Sequence, residues 1–391
     1  MDAGDRLCAA RPLTRAVSNS EICAVMKIGY LVHNLNDPAV ERRCQMLERG
    51  GAAVAVAGFL RDEHVRADIA MRNPLVVGRT RDADFAGRAF GAVRVAASSQ
   101  ALRRHFKNCD VLLARNLEQL AIVRTMARGR PVIYECLDLH RLLLGTSVAS
   151  RVIRALEASL LPHVKLLLTS SPAFLREHFD NRPFRGKAVL LENKLLSYDG
   201  MRFAQPTAAG PPWRIGWFGM LRCRQTFNFL AELASHSEGE IEVLISGKPS
   251  SAEFPDFVES VEAAPNMQYT GPYQYNDLIG LYGQCHFAWA IDWFEEGFNS
   301  SWLLPNRIYE SLAHGTVPIA LASVEAGRWL RSRGVGLVVD SADQARSALT
   351  AIQRSDYEIW VQQLDRLPRE DVVADDRDCV RLVDTIESVC K

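Results

Sequence analysis

The stretch that decides the fold is Met26 to Phe59, MKIGYLVHNLNDPAVERRCQMLERGGAAVAVAGF. It opens with a short apolar run that ends in polar residues at His33 and Asn34, as a buried strand does at its carboxyl end. Asp37 then suits an N-cap, Pro38 a first helical position, and Gly50 and Gly51 a helix stop. AAVAVAGF follows as a second apolar strand. Strand, loop, helix and strand within about 30 residues make a βαβ unit, and such a unit forces a parallel sheet.

The same alternation runs outward from this unit. DVLLARN, LEQLAIVRTMARG, PVIYECL, SVASRVIRALEASLL and VKLLLTSS read in turn as strand, helix, strand, helix and strand. SYDGMRFAQPTAAGPPW, rich in Pro, Gly and small residues, has no sustained period and reads as a linker. The pattern then restarts with RIGWFGM, TFNFLAELASH, IEVLISG, FPDFVESVEAA, MQYTG, NDLIGLYGQC and FAWAIDW. The expectation is α/β architecture: two Rossmann-like, doubly wound parallel-sheet domains facing a cleft. Their boundaries fall at 26–200 and 213–355, with a leader over 1–25, a linker over 201–212 and a helical segment over 356–391.

Composition narrows the class. The chain has 391 residues, enough for two cores of ordinary size, and a formal net charge of zero. No apolar run reaches the roughly 20 residues that span a bilayer. The leader is polar and arginine-bearing, either a flexible tail or codons upstream of a start at Met26, and the sequence leaves both open. Nine cysteines without a C-x-x-C pairing suggest free thiols in a reducing, cytoplasmic setting. Nine histidines without a clustered spacing give a metal site no support. The D-x-D of Asp82 and Asp84 sits in an arginine-flanked polar loop, and DDRD from Asp375 reads as a charged helix start.

Residues 1–200 carry 30 Lys and Arg against 20 Asp and Glu, while 201–391 carry 16 against 26. A basic first half could lie on an anionic membrane surface, hold a phosphate-bearing acceptor, or simply attract the acidic second half. Dispersed arginines without interleaved aromatics do not suit nucleic acid.

A second stretch, SWLLPNRIYESLAHGTVPIALAS from Ser301 to Ser323, reads as a helix entering a buried strand. Pro305 suits its first position, and Gly315 the left-handed residue after it. Ile308, Leu312 and Ala313 turn inward, so Asn306, Arg307, Glu310 and His314 share the other face. That face is either solvated, with Glu310 pairing Arg307 and His314, or it belongs to a site.

On these residues the second half resembles glycosyltransferases of the GT-B fold, particularly the retaining family 4 and related bacterial exopolysaccharide enzymes. WFGMLRCR is similar to the family's glycine and basic pair beside the donor diphosphate, which implies Gly219, Arg222 and Arg224; Met220 stands where the family has its arginine. YESLAHGTVPIA matches the later glutamate motif, making Glu310 the equivalent. Trp302 occupies the place of the earlier glutamate, and Glu296 lies fourteen positions before Glu310. LLPNRIYE and YECLDLH look like enzymes of succinoglycan-type assembly.

The resemblance implies a metal-independent transferase with no cofactor beyond a nucleotide-sugar cosubstrate, a UDP-sugar such as UDP-glucose being favoured. The acceptor would be a lipid-linked glycan. Gly247, Lys248, Asn299, Ser300, Asn306 and Arg307 complete the donor side, with Glu310 accepting ribose hydroxyls and a helix N-terminus seating phosphate. On the acceptor side stand His33 and Asn34, with Glu135, Asp138 and His140 at a strand end as candidates for a catalytic base. Asp138 and His140 also suit plain helix-capping. A sugar-nucleotide epimerase or a non-catalytic, transferase-like binding subunit would share this architecture, and whether an acceptor is consumed separates them.

Overall fold

The computed structural model describes residues 25–80 and 100–391. In the first domain β1 (Lys27–Val32), β2 (Ala53–Leu60), β3 (Leu75–Arg79), β4 (Val111–Arg115), β5 (Val132–Cys136), β6 (Leu166–Thr169) and β7 (Lys187–Leu190) form one parallel sheet. Their order is β3-β2-β1-β4-β5-β6-β7. Tyr30 is in register with Val56 on one side and Leu113 on the other. The central strands β4 and β5 are buried at every position, which is why they read as continuous apolar runs rather than alternating ones.

α1 (Pro38–Arg49) begins where Asp37 accepts a hydrogen bond from the Ala39 amide at 2.9 Å. Beyond β4, α2 (Leu117–Met126) packs its apolar face under the sheet. Asp82 and Asp84, and nearly all of the leader, lie outside the described residues.

After a two-residue strand β8 (Leu195–Leu196), the second domain contributes β9 (Trp213–Leu221), β10 (Ile241–Pro249), β11 (Met267–Tyr269), β12 (Phe287–Trp289), β13 (Val317–Leu321) and β14 (Leu337–Val339). These pair in parallel as β11-β10-β9-β12-β13-β14. Its core is aromatic: Trp289 stacks on Phe229 with ring centroids 5.0 Å apart, and Trp217 and Phe287 are fully enclosed. Enclosing one such side chain contributes on the order of 2–3 kcal/mol.

The segment 201–212 runs as a strap over the second domain. The Ala204 amide donates to Nδ1 of His314 at 3.2 Å, Thr207 donates to the Cys285 carbonyl at 3.0 Å, and His286 meets the Ala208 carbonyl at 3.0 Å. His314, expected on the polar helix face, is therefore buried beneath this strap. Gly315 follows at φ +70°, where a Cβ would come within 3.0 Å of Pro206.

The last 36 residues divide between the domains. Tyr357 and Leu364 join the second core, whereas β15 (Val373–Ala374) and the final helix, Asp376–Ser388, lead back to the first. Asp375 caps that helix, as its charged start suggested. The helix lies so close to α1 that a Cβ on Gly50 would fall 2.4 Å from the Cys379 carbonyl oxygen. β15 pairs with β8 at the crossing. Leu195 and Val373 enter the second core, Leu196 and Ala374 the first.

Burial lowers the pKa of His314 from 6.5 to about 4. The unfolded chain therefore takes up a proton between pH 6.5 and 4 that the folded state refuses. The contribution of neutral His314 is complete above pH 6.5 and is lost on acidification, at up to about 1.4 kcal/mol per pH unit. Urea unfolding of wild type and His314→Gln at pH 7 and pH 4.5 should show wild type losing more stability on acidification; equal losses would contradict it.

Candidate active site in the interdomain cleft

The strand ends of both sheets open onto the space between the domains, where an α/β sheet presents its working groups. A cavity of about 620 Å³ there is walled by His33, Asp138 and His140 from the first domain and by Met220, Arg222, Glu295 and Asn299 from the second.

Within β5 successive side chains alternate between faces. Tyr134 lines this cavity, but Glu135 points the other way and is fully buried. Glu135 takes a hydrogen bond from Tyr30 and one from Arg43 Nε at 2.5 Å, with Arg115 3.6 Å away. Burial works to raise its pKa, yet Arg43 and Arg115 outweigh it and hold the carboxyl below its usual value. Glu135 is thus a structural anion of the first domain and does not line the cavity.

Asp138, three residues on, faces the cavity. Burial raises its pKa, opposed by the hydrogen bond from Asn299 and by Arg115 and Arg222. Asn299 crosses between domains with both ends of its amide: Oδ1 accepts from the Leu139 amide at 3.0 Å, and Nδ2 donates to Asp138 Oδ1 at 3.3 Å. His140 lines the same cavity while its Nδ1 accepts from the Leu142 amide at 3.2 Å, so it also caps the next turn. His33 sits 3.5 Å from Asp37, and burial lowers its pKa to about 4, leaving a neutral imidazole. Asn34 accepts from the Asn36 amide and closes the loop without lining the cavity.

On the second domain, Gly219 and Gly247 lie opposite one another on β9 and β10 at φ +114° and +144°. A Cβ on Gly247 would lie 1.9 Å from the Gly219 carbonyl oxygen, so no larger residue fits without parting the strands. On the open side of Gly219, the Arg307 guanidinium comes within 3.7 Å of where a Cβ would be. It donates to the Trp289 carbonyl at 3.2 Å and borders a small pocket with Ser300 and Asp292. Ser300 donates to Asp292 at 3.2 Å, and Arg222 stands 3.7 Å from the same carboxylate with its plane 4.4 Å over Phe294.

α3 (Asn306–Ala313) begins after Pro305, which is its N-cap rather than its first residue and leaves the terminus without a side-chain cap. Glu310 is partnered by the Tyr282 hydroxyl at 3.0 Å, and neither Arg307 nor His314 provides its hydrogen bond. Burial raises its pKa, opposed by Tyr282, Arg42 and Arg307. With Asn306, Arg42, Tyr198 and Tyr275 it lines a second interdomain cavity of about 530 Å³. Glu310 and Arg222 thus line two separate cavities, and Arg307, beside Gly219, borders a third, small pocket.

Two expected donor residues stand apart. Arg224 pairs with Asp256 at 2.5 Å and lies 3.9 Å over Phe254, outside every described cavity; Lys248 is exposed on β10. Glu295, not Glu296, faces the main cavity, and burial raises its pKa. Among the described residues no group of three or more His, Cys, Asp or Glu is arranged for a metal ion.

No family model matches the chain. It is 42% identical over 375 residues to succinoglycan biosynthesis protein ExoL of Rhizobium meliloti (strain 1021), covering 92% of this chain and 93% of that protein. The chain belongs to the ExoL family. Among solved structures it superposes on Anabaena Alr3699/HepE in complex with UDP and glucose at TM-score 0.64 and 14% identity, covering 93% and 99% of the two chains. Sucrose-phosphate synthase from Thermosynechococcus elongatus gives 0.63 at 13%, covering 93% and 96%. The lipopolysaccharide outer core galactosyltransferase WaaB gives 0.61 at 12%, covering 93% and 99%. At such identities the likeness is one of fold, and this ExoL-family chain has the GT-B architecture.

Sequence reading missed several residues that wall the cleft: Arg42 and Tyr275 at the second cavity, and Asn116, Glu118 and Gln119 at the first. Arg42 sits inside an amphipathic helix, where a polar residue is ordinarily solvated, and Gln119 inside a largely apolar one. Only the Asn before an apolar helix, at the end of a buried strand, was a readable signal.

Proposed function

We propose that this ExoL-family protein is a glycosyltransferase that moves a hexose from a nucleoside diphosphate, UDP-glucose being favoured, to a lipid-linked glycan in exopolysaccharide synthesis. The observation that carries this is the cleft itself, in which Asp138 of one domain and Arg222 of the other wall one cavity, with Asn299 tying them. Alr3699/HepE, which shares the fold, was solved in complex with UDP-glucose.

The donor lies along the path from Glu310 to Arg222. Glu310 takes ribose hydroxyls in the second cavity. The diphosphate passes Gly219, where no side chain obstructs it, and meets Arg307 and the uncapped first turn of α3. The hexose enters the main cavity near Arg222. Charge builds on the diphosphate as its bond to the anomeric carbon breaks, and the two guanidiniums and the helix amides stabilise it.

If the acceptor oxygen attacks the anomeric carbon on the face opposite the departing diphosphate, the configuration inverts and Asp138 takes the hydroxyl's proton; a transfer that retains configuration demands no such base. Desolvation between the cleft walls raises the pKa of Asp138 although its side chain is open to the cavity, which makes it a better base than an ordinary aspartate. Turnover then falls on acidification through that raised pKa, because the carboxylate is the active form.

The protein works at the cytoplasmic face of the membrane. No helix of the described residues is long and apolar enough to cross it. Val148 and Val152, exposed beside Arg151 at the start of one helix, offer a small apolar and basic contact surface.

Calorimetry with UDP-glucose and a turnover assay on lipid-linked acceptor test the roles. Glu310→Ala should weaken donor binding by about tenfold or more, as loss of a charge-assisted contact does. Asp138→Asn should leave donor binding intact and slow turnover by about 100-fold or more. Unchanged donor affinity in Glu310→Ala removes the ribose role, and unaltered turnover in Asp138→Asn removes the base. Failure of wild type to bind or turn over any UDP-, GDP-, ADP- or dTDP-sugar would leave a non-catalytic subunit.

Flotation with phosphatidylglycerol vesicles should show binding that weakens with salt, and phosphatidylcholine vesicles none; equal binding to both rules the basic surface out.

A further inference from the structure

The main cavity has a wall that donor chemistry does not use. It is the turn between β4 and α2, residues Asn116 to Gln119, all of which line the cavity together with Phe59, Tyr134 and Ile153. Gln119 is 3% exposed, and its carboxamide oxygen has no hydrogen-bond partner in the protein. His33, on the same cavity, has its Nδ1 likewise unpartnered, while its Nε2 faces Asp37 at 3.5 Å. With Nε2–H directed at a carboxylate and the ring kept neutral by burial, Nδ1 is the lone-pair nitrogen.

Two buried acceptors therefore wait on one cavity, and a buried polar atom left unpaired is costly. The backbone is also committed there. Asn116 stands at φ +73°, ψ +166°, a conformation that glycine adopts readily and other residues do not, and its amide is fixed to the Glu135 carbonyl at 3.0 Å. Its side chain provides no cap for α2, which spans ten residues, so Asn116 leaves the N–H groups of the first turn to other partners.

The donor and acceptor pattern selects the ligand. Gln119 Oε1 and His33 Nδ1 both require O–H or N–H donors, which a carboxylate or a phosphate diester does not have. The uncapped helix amides require an oxygen lone pair. A hydroxyl offers both, and the apolar faces of Phe59, Tyr134 and Ile153 suit the C–H faces of a pyranose ring.

We propose that the β4–α2 turn, with His33 facing the same cavity, is a saccharide subsite: it holds the terminal sugar of the glycan acceptor by its hydroxyls. The assignment rests on the glycosyl-transfer reading for its purpose but not for its chemistry. Gln119 and Asn116 bind sugar and take no part in bond-making; Asp138, on the same cavity, takes the proton.

The test uses the full chain and neutral oligosaccharides released from succinoglycan by mild acid, followed by saturation-transfer NMR without nucleotide. Wild type should bind them, and Gln119→Leu and Asn116→Gly should each weaken binding about tenfold, the effect of losing one buried hydrogen bond. Both variants should unfold at or above the wild-type temperature, because one removes an unpaired polar atom and the other relieves a positive φ. A merely structural Gln119 or Asn116 would lower it instead. UDP-glucose affinity should stay unchanged in both. Unaltered oligosaccharide binding in the two variants, or no binding by wild type at millimolar concentration, overturns the subsite. Loss of UDP-glucose binding by wild type with sugar binding intact would sink the transfer reading alone.

Discussion

The first domain is organised around a carboxylate that water cannot reach. Glu135 is fully enclosed, with Arg43 from α1, Arg115 from β4 and Tyr30 from β1 about it. Arg115 also reaches Asp37, the cap of α1, at 3.2 Å. Four elements that are distant in sequence are thereby fixed at their cleft-facing ends. Removing one partner of such a buried set leaves an uncompensated charge and costs about 3–5 kcal/mol. The network determines where His33, Asn116 and Asp138 stand, since each lies within three residues of one of its members.

The second domain reaches its geometry by a different constraint, the close passage of two backbones. Gly219 and Gly247 let β9 and β10 meet without side chains between them, and the vacated side of Gly219 is where Arg307 arrives. The two domains then meet through Trp302 and Leu303, which pack against the first core, and through a set of single polar contacts. Besides Asn299, the Asn193 amide donates to the Leu304 carbonyl at 3.0 Å, Trp329 donates to Glu192 at 2.8 Å, and Arg176 pairs with Glu325 at 3.0 Å. Each such contact at a partly exposed site contributes about 1 kcal/mol or less, so the opposite net charges of the halves add an attraction that no single pair supplies.

Much of the architecture was legible because period and punctuation agree. Asp37, Pro38 and the paired glycines mark α1, and the apolar runs mark strands buried on both faces. The site was less legible for a physical reason: in a strand end, adjacent residues point in opposite directions. Glu135 and Asp138 look equivalent in YECLDLH, yet the first belongs to the core and the second to the cleft. Glu295 and Glu296 lie in a turn, where no period tells which of the two faces the cavity. Arg224 reads as a phosphate ligand until Asp256 and Phe254, some 30 residues away, are seen to hold it. His314 looked exposed because nothing in a helix's own periodicity reveals that a strap will cover it. Gln119 carries no local signal at all, being one polar residue in an apolar helix.

The β8–β15 ribbon carries a mechanical implication. The chain passes between the domains twice, and the two passages are hydrogen-bonded side by side, from the Leu195 amide to the Val372 carbonyl at 2.9 Å and from the Ser197 amide to the Ala374 carbonyl at 2.9 Å. Since alternate residues of this ribbon are seated in opposite cores, neither domain can slide or spin about a single tether. The permitted relative motion is swinging about the ribbon, like a book turning on its spine, so the lip of the cleft farthest from residues 195 and 373 has the longest travel.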